Sequence, residues 1–260
     1  FLMQKVFPKE WKLKKDSKNI EIIVDKNKEK NIVEGIYEPK LASVTVKFVN
    51  SENNDIKFLR KYTTLPILLD ILYRKKLTFL KPDTWPDKND VKVMEHYQKE
   101  MNRTVLASCF SYGEESVYHW STFANGPAGC MIEFKFKKFM DNLHEIPDIL
   151  YRKVNYLLIK KVKNGEYQID DLPFLKRRPY TCEDEFRILL LTDKDVDSYG
   201  VNIDLSCISA IKISPSLPKI VAESVKNVIE KLIGNINIKI CQSTLLENSR
   251  WINYCSKIKK

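Results

Sequence analysis

The residue types best able to do chemistry in this chain fall into three short segments. Glu183-Asp184-Glu185-Phe186-Arg187 sets two carboxylates at i and i+2 just before an apolar run. On a strand, side-chain direction alternates with period two, so Glu183 and Glu185 are expected on one face. Carboxylates held that close repel each other unless positive charge lies between or beside them. Either a substrate cation supplies it, or Arg187 and Arg178 do so as counter-ions of an exposed strand edge. The second segment, Phe58-Leu59-Arg60-Lys61-Tyr62-Thr63, offers Arg60 and Tyr62. The third, His119-Trp120-Ser121-Thr122-Phe123, contains the residue type most often used as a base near neutral pH. His119 stands alone, however: neither His96 nor His144 has metal-site spacing to it, and no nucleophile-base-acid pattern accompanies it. Helical spacing puts it on the side of Phe123, which favours a half-buried packing role. The aromatic group Tyr112, Tyr118, Trp120 and Phe123 could stack a heterocycle or fill a core. The small hydroxyls Ser121 and Thr122 set that stretch apart.

The elements that must hold these segments can be read from periodicity. Residues 58–62 read as a strand, and Thr64 caps a helix running to about residue 75, with Pro66 just inside it. Leu65, Leu68, Leu69 and Leu72 share one face of that helix. A strand at 77–80 and a polar loop at 82–90 follow, then a buried strand at 105–111, a helix at 115–125 and a strand at 129–136. In the last of these, Cys130, Ile132 and Phe134 alternate against Met131, Glu133 and Lys135. Strands are expected at 154–159, 186–191, 201–205, 208–214 and 236–241, and helices at 169–176 and 218–233. Residues 1–55 differ: charged stretches separate two alternating runs, 20–24 and 41–49, and the polar segment 51–55 marks a boundary. The expected organisation is a small β-containing N-terminal extension, 1–55, and a core domain, 56–260.

Several function classes drop out. No Gly-rich phosphate loop of the P-loop type occurs among only 7 glycines, and no βαβ spacing supports a doubly wound nucleotide fold. The six cysteines, Cys109, Cys130, Cys182, Cys207, Cys241 and Cys255, form no C-x-x-C pair, so no metal is expected and the thiols read as small hydrophobes. No apolar run approaches bilayer length and no secretion signal is evident, so a cytoplasmic location without a membrane partner is expected. A net charge of +10 suits a polyanion. The basic clusters 135–138, 160–163 and 176–178 are small and interspersed with acids, as solvated faces are.

Taken in order, these segments resemble a widespread bacterial family, domain of unknown function 2971. Arg60-Lys61-Tyr62 leads through a helix to Leu77-Thr78-Phe79. Trp85-Pro86-Asp87-Lys88-Asn89-Asp90 loosely matches a proline-rich loop, and Ala107-Ser108-Cys109-Phe110-Ser111 matches a strand. Trp120-Ser121-Thr122-Phe123-Ala124, Gly129 to Phe134 and Glu183 to Arg187 complete the series. The Asp-Pro step of the loop is missing, the stretch between Ala124 and Gly129 is short, and residues 1–55 have no counterpart.

The order Arg, aromatic-Ser-Thr, Glu-x-Glu is also similar to mono-ADP-ribosyltransferases of the Arg-Ser-Glu type. That resemblance implies an α+β fold with a mixed, twisted, split β core, surrounding helices and NAD as substrate. It implies that Arg60 clamps the pyrophosphate, with Tyr62 beside it. Ser121 and Thr122 would position the nicotinamide ribose, while Tyr118 or Phe123 would stack the nicotinamide. Glu185 would stabilise the developing cation and Glu183 would orient or deprotonate the acceptor. The implied function is an NAD-dependent ADP-ribosyltransferase or NAD glycohydrolase acting on protein or nucleic acid, in the manner of a toxin or phage-defence effector, with room for an inhibitory partner. The alternative is a non-catalytic nucleic-acid-binding or protein-interaction module. The enzyme reading requires Arg60, Ser121 and Glu185 to line one cleft with Glu183 at its rim.

Overall fold

The computed structural model describes residues 55–124, 126–144 and 146–258, together with the backbone of four strands between residues 11 and 49. Two compact units result, Phe1–Asp55 and Ile56–Lys260. In the first, β1 (Trp11–Lys15), β2 (Asn19–Lys26), β3 (Glu29–Ile36) and β4 (Thr45–Val49) pair in sequence order, each antiparallel to the next. Of the expected run at 41–49, residues 41–44 lie outside the described residues.

The second unit is α+β and is built on a mixed nine-stranded sheet. Its strands are β5 (Phe58–Thr64), β6 (Lys76–Leu80), β7 (Thr104–Ser111), β8 (Gly129–Lys135), β9 (Ile149–Lys153), β12 (Glu185–Thr192), β13 (Ser198–Asn202), β14 (Ile208–Ile213) and β15 (Lys239–Gln242). Between β9 and β12 the chain makes a separate parallel pair, β10 (Asn155–Leu157) with β11 (Leu175–Arg177). The large sheet forks at β7. One edge of β7 pairs along its full length with β12, which continues to β9. At the other edge Leu80 of β6 pairs with Ala107 and Arg60 of β5 with Ser111, starting one arm β6-β13 and a second arm β5-β8-β14-β15.

Alternation along the strands builds two different faces. Leu59, Phe110, Ile132, Phe134, Phe186 and Ile188 form the main core on one side. There they meet α1 (Leu65–Arg74) through Leu68, Ile71 and Leu72, α4 (Phe136–Asp141) through Phe139 and Met140, and α6 (Lys219–Ile233) through Ala222, Ile229 and Ile233. Pro66 sits in the first turn of α1, where a missing N–H costs nothing, and Lys75 closes the helix in a left-handed conformation. On the opposite face two smaller clusters are separated by buried polar residues, Arg60, Ser111, Glu185 and Arg187 among them. α2 (Lys88–Met101) packs Met94 and Tyr97 on Val105, Leu189 and Leu191, while α3 (Val117–Phe123) packs Trp120 on Tyr62 and Met131.

Three expectations are corrected. The polar stretch 82–90 is not all loop: a short 3-10 turn spans Pro82–Thr84, and α2 starts at Lys88. Asp87 caps it by accepting from the Asn89 N–H at 2.9 Å, and Val91, Met94 and Tyr97 supply its buried face. The expected helix at 169–176 is instead a 3-10 segment, Ile169–Phe174, followed by β11, because Pro173 has no N–H with which to continue a helix. The expected strand at 154–159 divides between β10 and α5 (Ile159–Asn164).

Candidate active site between the two small clusters

Strand register gathers the polar residues of the second face. Arg60 on β5 pairs with Glu133 on β8 and with Ser111 on β7, and Ser111 pairs in turn with Glu185 on β12. Residues directly opposite in antiparallel strands put their side chains on the same side. Glu133, Arg60, Ser111 and Glu185 therefore form one row across four strands, on the face that carries the two small clusters. Two residues along their strands, Tyr62 and Arg187 share this face.

The turn into β12 decides where the two glutamates stand. Glu183 ends a 3-10 segment, Arg178–Glu183, and Asp184 takes a left-handed conformation at φ 42° before Glu185 opens the strand. The two carboxylates are thus not brought together by strand alternation, as the i, i+2 spacing suggested. The bend is tied to the end of β7: the Tyr112 N–H donates to the Asp184 carbonyl at 2.9 Å. Asp184 also packs so closely on Gly113 that a Cβ there would lie 2.1 Å from its carboxylate oxygen. A side chain at 113 would have to displace the Asp184 carboxylate.

Around Glu185 the structure builds a buried charge cluster. Arg187 is completely buried and donates to both Glu185 oxygens, at 2.8 and 2.9 Å. Its other donors reach Asp90 at 2.8 and 3.2 Å and the Pro173 carbonyl at 2.6 Å. Its guanidinium lies 4.7 Å from the centre of the Trp85 ring. Lys176 on β11 completes the group, with Nζ 3.1 Å from Glu185, 3.5 Å from Asp90 and 2.5 Å from Glu183. Burial alone would raise the pKa of both glutamates. For Glu185 the Arg187 and Lys176 charges overcome that effect and hold it well below the usual range. For Glu183 burial prevails over the Lys176 contact, and its pKa is raised. Two neighbouring carboxylates are thereby pushed apart in acidity, a pattern that acid-base sites share.

Arg60 is held by Glu133 at 3.1 Å and by the Gly113 carbonyl; Ser209 fixes the other Glu133 oxygen at 2.7 Å. The remaining arm of its guanidinium meets Glu114 at 3.6 Å, and that carboxylate is 95 % exposed. A loose pair of this kind exchanges its anion at small cost.

The other residues singled out in the sequence occupy varied positions. Tyr62 stacks on His119, with ring centres 5.0 Å apart and planes within 16°. His119 is buried, not half-buried: Nε2–H donates to the Glu183 carbonyl at 2.8 Å and Nδ1 bonds Ser116 at 2.6 Å. It positions the Glu183 backbone. The Tyr118 hydroxyl donates to the Glu183 carboxylate at 3.5 Å. Phe123 is partly exposed, its ring edge-on to Tyr118. Ser121 and Thr122 lie on the exposed side of α3, and the Ser121 hydroxyl donates to the Tyr118 carbonyl at 3.0 Å. The structure thus gathers Arg60, Tyr62, Tyr118, Glu183 and Glu185 on one side of the sheet, with Arg60, Tyr62, Glu183 and Glu185 buried there rather than lining an open cleft, and puts Ser111 rather than Ser121 between Arg60 and Glu185.

The sequence reading passed over Asp90, Lys176 and Ser111. The spacing Val91, Met94, Tyr97 signals α2 and would have placed Asp90 in its first turn, whereas nothing local marks Lys176. A groove of about 280 Å³ leads to the cluster, with Asp90 and Lys176 in its wall beside Leu157, Val162, Leu172 and Arg177.

The chain is similar to DarT. Three solved structures of DarT from Thermus sp. 2.9, in complex with carba-NAD+, with NAD+ and with ADP-ribosylated ssDNA, align with 73 % of this chain and 95 to 96 % of their own. The TM-scores are 0.36, 0.36 and 0.37, and the identities 9, 10 and 13 %. No family model matches the sequence, that of domain family 2971 included, and no curated protein matches it.

Proposed function

We propose that this chain is an NAD-dependent ADP-ribosyltransferase or NAD glycohydrolase. The observation that carries the reading is the row Arg60, Ser111, Glu185 on one face of the sheet, with the raised-pKa Glu183 beside it. Cleavage of NAD breaks the bond from ribose C1′ to the nicotinamide nitrogen. Nicotinamide leaves with the electron pair as a neutral molecule, and positive charge develops on the ribose. A preorganised anion next to that charge lowers the barrier, and Glu185 is such an anion. The Arg60 arm that meets the exposed Glu114 carboxylate exchanges it for the pyrophosphate. Glu183 accepts the proton released when water or the acceptor nucleophile adds to C1′. Ser111 holds the ribose between Arg60 and Glu185. Tyr62 backs Arg60, and Tyr118 and Phe123 offer rings for the nicotinamide. Ser121 and Thr122 act through Tyr118, which links α3 to Glu183. The acceptor is a protein or a nucleic acid, and the chemistry suits a toxin or phage-defence effector held in check by an inhibitory partner.

The test is incubation of the purified protein with NAD labelled in its nicotinamide, with and without cell extract. Nicotinamide release is expected. Absence of release together with absence of any NAD-induced rise in Tm contradicts the reading.

One observation favours a second reading, a non-catalytic module. Both Glu185 oxygens are engaged by cations, while the exposed Lys160, Lys161, Lys163, Arg177 and Arg178 gather where β10 pairs with β11. Salt-sensitive nucleic-acid binding that NAD leaves unchanged supports that alternative.

A further inference from the structure

The last described helix, α7 (Ser249–Cys255), has no buried residue. Asn248 caps it by accepting from the Trp251 N–H at 3.0 Å, and the turn continues through backbone bonds from Lys257 to Tyr254 and from Ile258 to Cys255. Every residue from Ser249 to Ile258 is nonetheless exposed: Trp251 by 70 %, Tyr254 by 68 % and Ile258 by 80 %. At helical spacing Trp251, Ile252, Tyr254, Cys255 and Ile258 cover one arc of about 160°, and Arg250, Asn253, Ser256 and Lys257 take the rest. Exposed apolar side chains also occur in the segment before the helix and at the start of α6. A Lys219–Glu247 ion pair at 3.1 Å ties the start of α6 to the segment before α7, next to Leu246 and Ile220, exposed by 60 and 81 %.

We propose that α7 is an interfacial helix that lays this apolar arc into the surface of an anionic phospholipid bilayer. Charge selects the occupant. Residues 248–260 contain Arg250, Lys257, Lys259 and Lys260 and no acid, in a chain of net charge +10. A second copy of so basic a segment is repelled, while an anionic surface attracts it. Trp and Tyr beside isoleucines, with cations on the opposite arc, is the composition that partitions to the boundary between headgroups and acyl chains. Among the described residues no helix is long and apolar enough to cross a membrane, so the contact is adsorption to one leaflet. This departs from the expectation of no membrane partner. It is independent of the proposed catalysis.

The experiment is sedimentation of the full chain with vesicles of phosphatidylcholine alone or of phosphatidylcholine with phosphatidylglycerol, at low and high salt. Binding only to the anionic vesicles, weakened by salt, is expected. Trp251→Ser with Ile258→Ser should reduce it at least about tenfold, and Arg250→Gln with Lys257→Gln should remove the preference for anionic lipid. All four positions are exposed, and an unchanged Tm verifies that the variants fold. No binding to anionic vesicles, or binding insensitive to both variants, overturns the proposal. So does a dimer that Trp251→Ser dissolves in the absence of vesicle binding, which assigns the face to a second copy.

Discussion

Arg60 and Glu185 stand on the same face of one sheet, each in register with Ser111. A single strand separates them, and in the proposed function one dinucleotide would span the two. The opposite arrangement, one residue on each face, would have ruled out the transferase mechanism. Because this relationship rests on backbone pairing, it survives side-chain substitution and can be probed one residue at a time.

Arg187 is the structural centre of the site. Its removal leaves Glu185 and Asp90 buried with Lys176 as their remaining cation. Arg187→Ala should cost about 3–5 kcal/mol of stability, the usual consequence of breaking a buried ion pair. Urea unfolding followed by far-UV circular dichroism measures it. A loss below about 1 kcal/mol, the level of a surface pair, contradicts the burial described.

Stability should depend on pH in two opposite senses. Glu185 has a folded pKa below its unfolded value, about 4.3, so its contribution is present above that pH and is lost as the pH falls toward the folded value. Glu183 has a raised folded pKa, so it favours folding while protonated, and this advantage is lost as the pH rises from about 4.3 through its folded pKa. Glu183→Gln should therefore flatten the alkaline side of a plot of urea midpoint against pH and leave the acid side in place. A parallel shift of the whole curve contradicts the assignment.

How much of this was legible beforehand follows from the range of each interaction. Arg60, Glu183, Glu185 and the alternation that sets Glu133 opposite Ile132 are local signals, and so are α1, β7, β8 and α6, whose apolar periods are clean. Asp90 and Lys176 reach the site from α2 and β11, which local composition disguised as a polar loop and a helix. The place of Ser111 depends on the fork at β7, a long-range pairing that no single segment encodes. Ser121 drew attention as a hydroxyl among aromatics, but α3 turns its aromatic side inward and leaves the hydroxyl outside.

Lys176 is the one cation of the cluster that also lines the groove. Lys176→Met removes its attraction for Glu183, and the carboxylate should then hold its proton to higher pH. The lower limb of the pH profile of nicotinamide release should move upward, with the upper limb unmoved. An unchanged profile contradicts the role of Glu183 as proton acceptor.

In the proposed function Glu114 would compete with substrate phosphate for Arg60. Removing an exposed competitor is a small effect, so Glu114→Gln should lower the Kd for NAD by about two- to fivefold, and Arg60→Ala should raise it far more. Isothermal titration at low salt distinguishes the two. Equal Kd values for the wild type and both variants would place the pyrophosphate elsewhere.

The most direct measurement compares nicotinamide release by the wild-type protein and by Glu185→Gln. Glutamine keeps the shape and one hydrogen-bond acceptor for Arg187 but carries no charge, and circular dichroism verifies that both proteins are folded at the assay temperature. Loss of the anion should reduce kcat by roughly a hundredfold or more, with little change in the Kd for NAD. Equal kcat in the two folded proteins would contradict the account, leaving Glu185 as a buried partner of Arg187 and nothing more.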